Sequence, residues 1–341
     1  MEATQAPPYA GLTPDCVLDA LASVDIRGDG RLLGLNSYEN RVYQAWSDAL
    51  PGSDAASTAV STVVVKFYRP QRWTNGQILE EHAFVRELSA HEIPVVAPLA
   101  FKEGRTLHTF AGFRFAVYPK RGGRAPELED PATLEWMGRF IGRIHAVGSA
   151  RAFQERPALD VASFGDEPRA YLLAHDFIPS ELAKAWSSVS AQAIDGVRRC
   201  YDRAGDVRQL RLHGDCHAGN VLWADAGPHF VDFDDCRTGP AVQDLWMLLS
   251  GEPSDMGRQL GAVLRGYEDF IDFDDRELYL VEALRTLRLI HYAAWLARRW
   301  HDPAFPAAFP WFNTQRYWQD RILELREQIA LMDEPPLRPA H

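Results

Sequence analysis

HGDCHAGNVLW at residues 213–223, followed by HFVDFDD at 229–235, decides how this 341-residue chain is read. Val221 to Trp223 and His229 to Phe233 are short apolar runs separated by Ala-Asp-Ala-Gly-Pro, the pattern of a β-hairpin. With Asp225 to Gly227 as a three-residue loop and Gly227 left-handed, residue 223 pairs with 229 and 221 with 231, so Asn220 falls opposite Asp232. Opposed Cβ atoms lie roughly 5 Å apart, close enough for both side-chain oxygens to bind one magnesium ion at about 2.1 Å. Asp215 stands five residues before Asn220, completing a His-x-Asp-x-x-x-x-Asn loop. In such loops the aspartate takes the proton of an acceptor hydroxyl and the asparagine holds a metal, the chemistry of phosphoryl transfer. Asp232 supplies the second metal ligand.

Composition leaves room for this chemistry and excludes others. The chain is 46% hydrophobic, enough to bury a large core, and its length implies two lobes or domains. No apolar run reaches eighteen residues, and Met1 to Gly11 lacks the regions of a signal peptide, so a soluble cytoplasmic protein with no membrane partner is expected. The four cysteines are scattered, without a Cys-x-x-Cys pair. A net charge of −11 argues against nucleic acid as a partner. A triphosphate bound by so acidic a chain needs local cations.

One such cation is Lys66. STVVVKFY at 61–68 is a β-branched strand with Val63, Val65 and Phe67 on one face and Val64, Lys66 and Tyr68 on the other. A lysine inside such a strand resembles the one that grips the α and β phosphates in kinases and pairs with a glutamate on the next helix. Asn75 to Leu88 carries a helical stripe, and Glu81 is the chosen partner, with Glu80 the open alternative. Upstream, Asn36, Ser37, Glu39 and Asn40 form a polar turn between two strand-like pieces, where Ser37 or its neighbours' amides could bond phosphate oxygens. SDALPGSDAASTAVS, at 47–61, reads as an exposed connection. Segments 93–101 and 112–120 are expected to complete a small antiparallel sheet. Tyr118, Pro119 and Lys120 then read as a hinge whose backbone could bond adenine, with Gly122 and Gly123 giving it freedom. Beyond it the chain is mainly helical, including a stripe ending at His145 and a long helix from Glu277 to Trp300. The proline-rich ends, 7–14 and 335–339, are expected to be loose.

Taken together, HGDCHAGNVLW, NSYENRVYQ, VVKFYRP, ILEEH, GPAVQDLWMLL and DPAFPAAFPW resemble the bacterial stress-response protein kinases of the aminoglycoside phosphotransferase and choline kinase-like superfamily, over nearly the whole chain. The resemblance implies an α+β, bilobal protein-kinase-like fold, with a small antiparallel-sheet N-lobe (residues 1–118) and a mainly helical C-lobe (residues 119–341). It implies a monomeric, cytoplasmic, autophosphorylating serine/threonine kinase of the stress response that uses ATP and Mg2+ and acts on proteins, itself included. Carried over position by position, Asp215 is the proton acceptor, Asn220 and Asp232 hold magnesium, and Ser37 contacts the nucleotide. Asp232 is in addition a candidate aspartyl-phosphate acceptor. His213 is expected to brace the loop, and Asp244 to cap or anchor the helix beneath it. The alternative is a small-molecule kinase of aminoglycoside, choline or homoserine type, in which Trp295, Trp300, Trp311, Phe312 and Trp318 could enclose a cation.

Overall fold

A computed structural model describes residues 7–47, 61–225 and 227–340. Most of the expected 47–61 connection lies outside the described residues. The chain divides into two compact units, Met1–Arg124 with Leu222–Asp234, and Ala125–Val221 with Asp235–His341. The division falls after Arg124 rather than at 118, and the hairpin segment after Val221 belongs to the first unit.

The first unit is built on a five-stranded antiparallel sheet of order β1-β2-β3-β5-β4, formed by Gly28–Leu35 (β1), Arg41–Ser47 (β2), Ser61–Phe67 (β3), His108–Phe110 (β4) and Phe113–Pro119 (β5). Helix α1 (Pro14–Ala22), opened by Thr13 as N-cap, covers one face with Val17 and Leu21 against Val63, Val65, Phe67, Phe115 and Val117. The 7–14 segment is therefore not loose. Tyr9 stacks on Phe113 and donates its hydroxyl to the carbonyls of Glu39 and Phe67. The opposite face carries Lys66 and Tyr68, packed against α2 (Asn75–Ala90), whose start is fixed by a reciprocal Thr74–Gln77 capping box.

Segment 93–101 does not form the expected strand. Pro94 and Pro98 cannot donate to a ladder, and the segment instead works as a strap. Val96 donates to Phe230, Phe230 to Pro94, and Leu99 to Val117. Trp223 and Arg124 exchange a backbone pair at the other strand of the hairpin Val221–Ala224/Gly227–Phe230. Gly227 has a φ of +109°, the left-handed turn its position requires. Gly123 serves close packing, since a Cβ there would lie 2.6 Å from the Leu222 carbonyl carbon.

The second unit is helical, with α3 (Pro131–Gly148), α4 (Glu167–Ala174), α5 (Ser180–Ala204), α6 (Val242–Trp246), α7 (Pro253–Tyr267), α8 (Val281–Arg299), α9 (Ala304–Ala308) and α10 (Gln315–Asp333). The expected helix from Glu277 begins as a 3-10 turn, Asp275–Leu280, capped by Asp274, before α8 takes over. Trp186, Trp318, Phe305 and Phe312 lie in the buried core that α5, α8 and α10 share, and Trp295 and Trp300 pack against it. Four of the five rings proposed to enclose a cation are thus core or lean on core; Trp311 is exposed. The C-terminal stretch is also docked, with Ala340 donating to Gly257 of α7. No helix among the described residues is long and apolar enough to cross a membrane.

Helices α3 and α7 cross with almost no side chain between them. A Cβ on Gly142 would sit 2.6 Å from the Tyr267 carbonyl, and one on Gly138 or Gly266 would overlap the Val263 or Glu135 carbonyl. Gly142→Val must therefore separate the helices, and we expect it to lower stability by about 2–4 kcal/mol. Thermal or urea denaturation measures this, and a parental midpoint would contradict the packing.

Candidate active site

Each unit carries one set of candidate residues. In the first, Lys66 is buried on β3 and its Nζ lies 3.0 Å from Asp232 Oδ1, 2.9 Å from Asp234 Oδ1 and 4.0 Å from Glu81 Oε1. Burial alone would lower the Lys66 pKa, but the three carboxylates hold it well above the ordinary lysine value, so the ammonium stays charged. Glu81 is 2% exposed, whereas Glu80 is half-buried. The sequence reading chose Glu81 as the lysine partner; it did not name the nearer Asp234 as one.

Asp234 also pairs with Arg72, and Arg72 reaches Glu39 at 3.8 Å. Glu39 faces Arg69 at 3.6 Å, and Asn40 Oδ1 accepts the Arg69 amide at 3.0 Å. A largely buried chain of charges thus connects Lys66 to the 36–40 turn, where Ser37 is half-buried between β1 and β2. Arg69 and Arg72 follow the lysine strand in VVKFYRPQR, but no spacing rule marks them as partners of Glu39 or Asp234.

Tyr118 does not have its backbone available for adenine. Lys120 donates to Thr62 and Tyr68 to Arg114, so by the alternation of an antiparallel ladder the 64–118 pair between them is also hydrogen-bonded. Its side chain is equally committed, with Oη 3.0 Å from Tyr68 Oη and burial raising the phenol pKa.

Asp232 departs from the regular hairpin. The strand ends at Phe230 and Asp232 has a φ of +61°, a conformation that aspartate tolerates better than most residues. The ladder therefore stops before it reaches position 232. The left-handed turn gives the carboxylate its bond to Lys66 and leaves its side chain 53% exposed.

In the second unit the loop begins with Gly214, whose φ of +85° and overlap of any Cβ with the Asp235 carbonyl admit only glycine. The fully buried Asp244 holds the loop from below: Oδ2 accepts the His213 amide at 2.8 Å and Oδ1 the Gly214 amide at 2.9 Å. His145 Nε2 lies 3.0 Å from Asp244 Oδ2, and its Nδ1 lies 2.9 Å from the Tyr267 hydroxyl. Asp244 thus anchors the loop itself rather than capping its own helix. His213 accepts the Asp215 amide at 3.3 Å, the bracing bond expected of it.

Asp215 is surrounded by donors. Asn220 Nδ2 donates to its carbonyl at 2.9 Å, Arg288 Nη1 to Oδ1 at 2.8 Å, and His217 Nε2 lies 3.5 Å from Oδ2. Burial works to raise its pKa, yet the bond to His217 and the Arg288 guanidinium bring it below the ordinary aspartate value. It is therefore a carboxylate at neutral pH, able to accept a hydrogen bond. Arg288 went unnoticed in the sequence because it lies inside a helical stripe, 73 residues from Asp215.

Magnesium suits the donor type that Asn220 and Asp232 each carry. The Asn220 amide uses its Nδ2 on the Asp215 carbonyl and carries one side-chain oxygen besides, and Asp232 offers a half-exposed carboxylate. Hard oxygen donors of this kind are what Mg2+ takes from protein when phosphates supply the rest.

Comparison with known proteins agrees with this chemistry. Residues 32–281 match the phosphotransferase enzyme family, APH. Stress response kinase A of Escherichia coli (strain K12) is 46% identical over 330 residues, covering 97% of this chain and 96% of that protein. Serine/threonine protein kinase RdoA of Salmonella typhimurium is 44% identical over the same shares. Among solved structures, amicoumacin kinase hAmiN in complex with AMP-PNP, Ca2+ and Ami superposes with a TM-score of 0.70 at 21% identity, over 96% of this chain and 95% of that one, which establishes the shared fold. With its α+β architecture, its braced His-Gly-Asp loop and its buried strand lysine, the chain belongs to the APH family of phosphotransferase enzymes.

Proposed function

We propose that the chain is a kinase of the stress response that moves the γ-phosphoryl group of ATP to serine or threonine hydroxyls of proteins, its own included. It acts as a cytoplasmic monomer. The carrying observation is the charged Asp215 carboxylate, fixed in a loop that Asp244 anchors and Asn220 closes. The near-full-length similarity to serine/threonine protein kinase RdoA of Salmonella typhimurium supports the acceptor class.

In this reading the first unit holds the nucleotide and the second the catalytic loop. Lys66 binds the α and β phosphates, and Asp234 and Glu81 keep its ammonium charged and aimed. Ser37 and the amides of its turn contact phosphate oxygens, and the Glu39–Arg72–Asp234 chain fixes that turn relative to the lysine. Asn220 and Asp232 hold magnesium, which when bound offsets charge on the β and γ phosphates. Asp215 accepts a hydrogen bond from the acceptor hydroxyl, orients it, and takes its proton as the bond to phosphorus forms. Adenine is left to the chain after Lys120, beyond the committed part of the ladder.

Three outcomes test this. Asp215→Ala should lower transfer by about 10²–10⁴-fold while ATP binding, measured by calorimetry, stays near parental; parental turnover would remove the base assignment. Removing divalent metal with EDTA should abolish transfer, and added Mg2+ should restore it. Label carried by the protein after incubation with ATP should resist hydroxylamine and yield phosphoserine or phosphothreonine on acid hydrolysis. Hydroxylamine-labile label lost in Asp232→Asn would instead make Asp232 the phosphoryl acceptor.

A further inference from the structure

We infer that Arg288 selects acceptors that carry an anionic group beside the hydroxyl, such as a serine or threonine flanked by acidic residues; the inference rests on Asp215 being the acceptor-side base. Arg288 lies on α8, and its Nη1 donates to Asp215 Oδ1 at 2.8 Å. Its side chain is 43% exposed, and among the described residues Asp215 is its one hydrogen-bond and ion-pair partner. A guanidinium has five donors in a rigid fork matched to carboxylate or phosphate. One is spent on the Asp215 carboxylate, and the side chain that carries the rest is 43% exposed beside it.

The neighbouring charges agree with this polarity. Asp235, the second carboxylate that acts on Asp215, lies 3.0 Å from Arg237 Nη2. Each of these two carboxylates thus already has an arginine. A cationic acceptor would meet compensated acids and a forward-facing Arg288, and would be repelled. An acidic acceptor group also relieves a conflict: the guanidinium occupies Asp215 Oδ1, and a competing anion draws it outward while the hydroxyl takes its place. A purely structural arginine would be buried and would show no preference among acceptors.

The experiment compares kcat/KM for paired acceptors in the full chain and in Arg288→Ala and Arg288→Glu. Casein and histone serve as the acidic and basic protein pair, and homoserine and choline as the anion-bearing and cationic small-alcohol pair. The ratio within each pair cancels any loss of folded enzyme. We expect the parental chain to favour the acidic member by about tenfold or more, Arg288→Ala to erase most of that preference, and Arg288→Glu to reverse it, since about 1.4 kcal/mol separates each decade. An unchanged ratio in both variants, or a parental preference for histone and choline, overturns the inference. Transfer to small alcohols alone would overturn the protein-kinase reading and leave this one standing if homoserine is preferred.

Discussion

Asp244 is the constraint on which the second unit depends. A carboxylate removed from water is costly unless donors replace the water, and here the donors are the His213 and Gly214 amides and the His145 ring. His145 can reach because α3 and α7 approach at Gly138, Gly142 and Gly266, which brings it against Tyr267. Helix packing, a buried acid and the conformation of the loop are therefore one arrangement. Its output is an Asp215 whose backbone is held and whose carboxylate faces Arg288 and His217.

The first unit solves a complementary problem. Lys66 is too deeply buried to stay charged without help, and three carboxylates supply it. Two of them come from the segment after the hairpin, which the proline-broken strap at 94–96 and the Trp223–Arg124 pair tie to the sheet. The segment that fails as a strand is thus what delivers Asp232 and Asp234 to the lysine. Asp234 passes the constraint on through Arg72 to Glu39.

Local pattern was legible and distant pairing was not. Strand alternation identified Lys66 and its faces, helical stripes located α2 and α3, and the turn residues gave the hairpin with its left-handed Gly227. The Tyr118 expectation failed because strand residues appear free in a sequence until ladder parity is known. The strand expected to run on to Phe233 ends at Phe230, because aspartate can leave the strand conformation without a glycine or proline to announce it. Arg288, Arg72 and the His145–Asp244 bond join residues far apart in the chain, and no periodicity reports such contacts. The terminal segments looked unstructured because prolines and small residues hide their few anchoring points, Tyr9 and Ala340.

The positive φ at Asp232 places two unrelated filters on a single codon. Glutamate would keep the charge but resist the backbone, glycine would suit the backbone but lose the carboxylate, and asparagine would keep the shape while surrendering the attraction for Lys66. A lineage drifting in sequence has no neutral neighbour to step to there, so this position should act as an evolutionary ratchet even where the surrounding strap and hairpin are free to change.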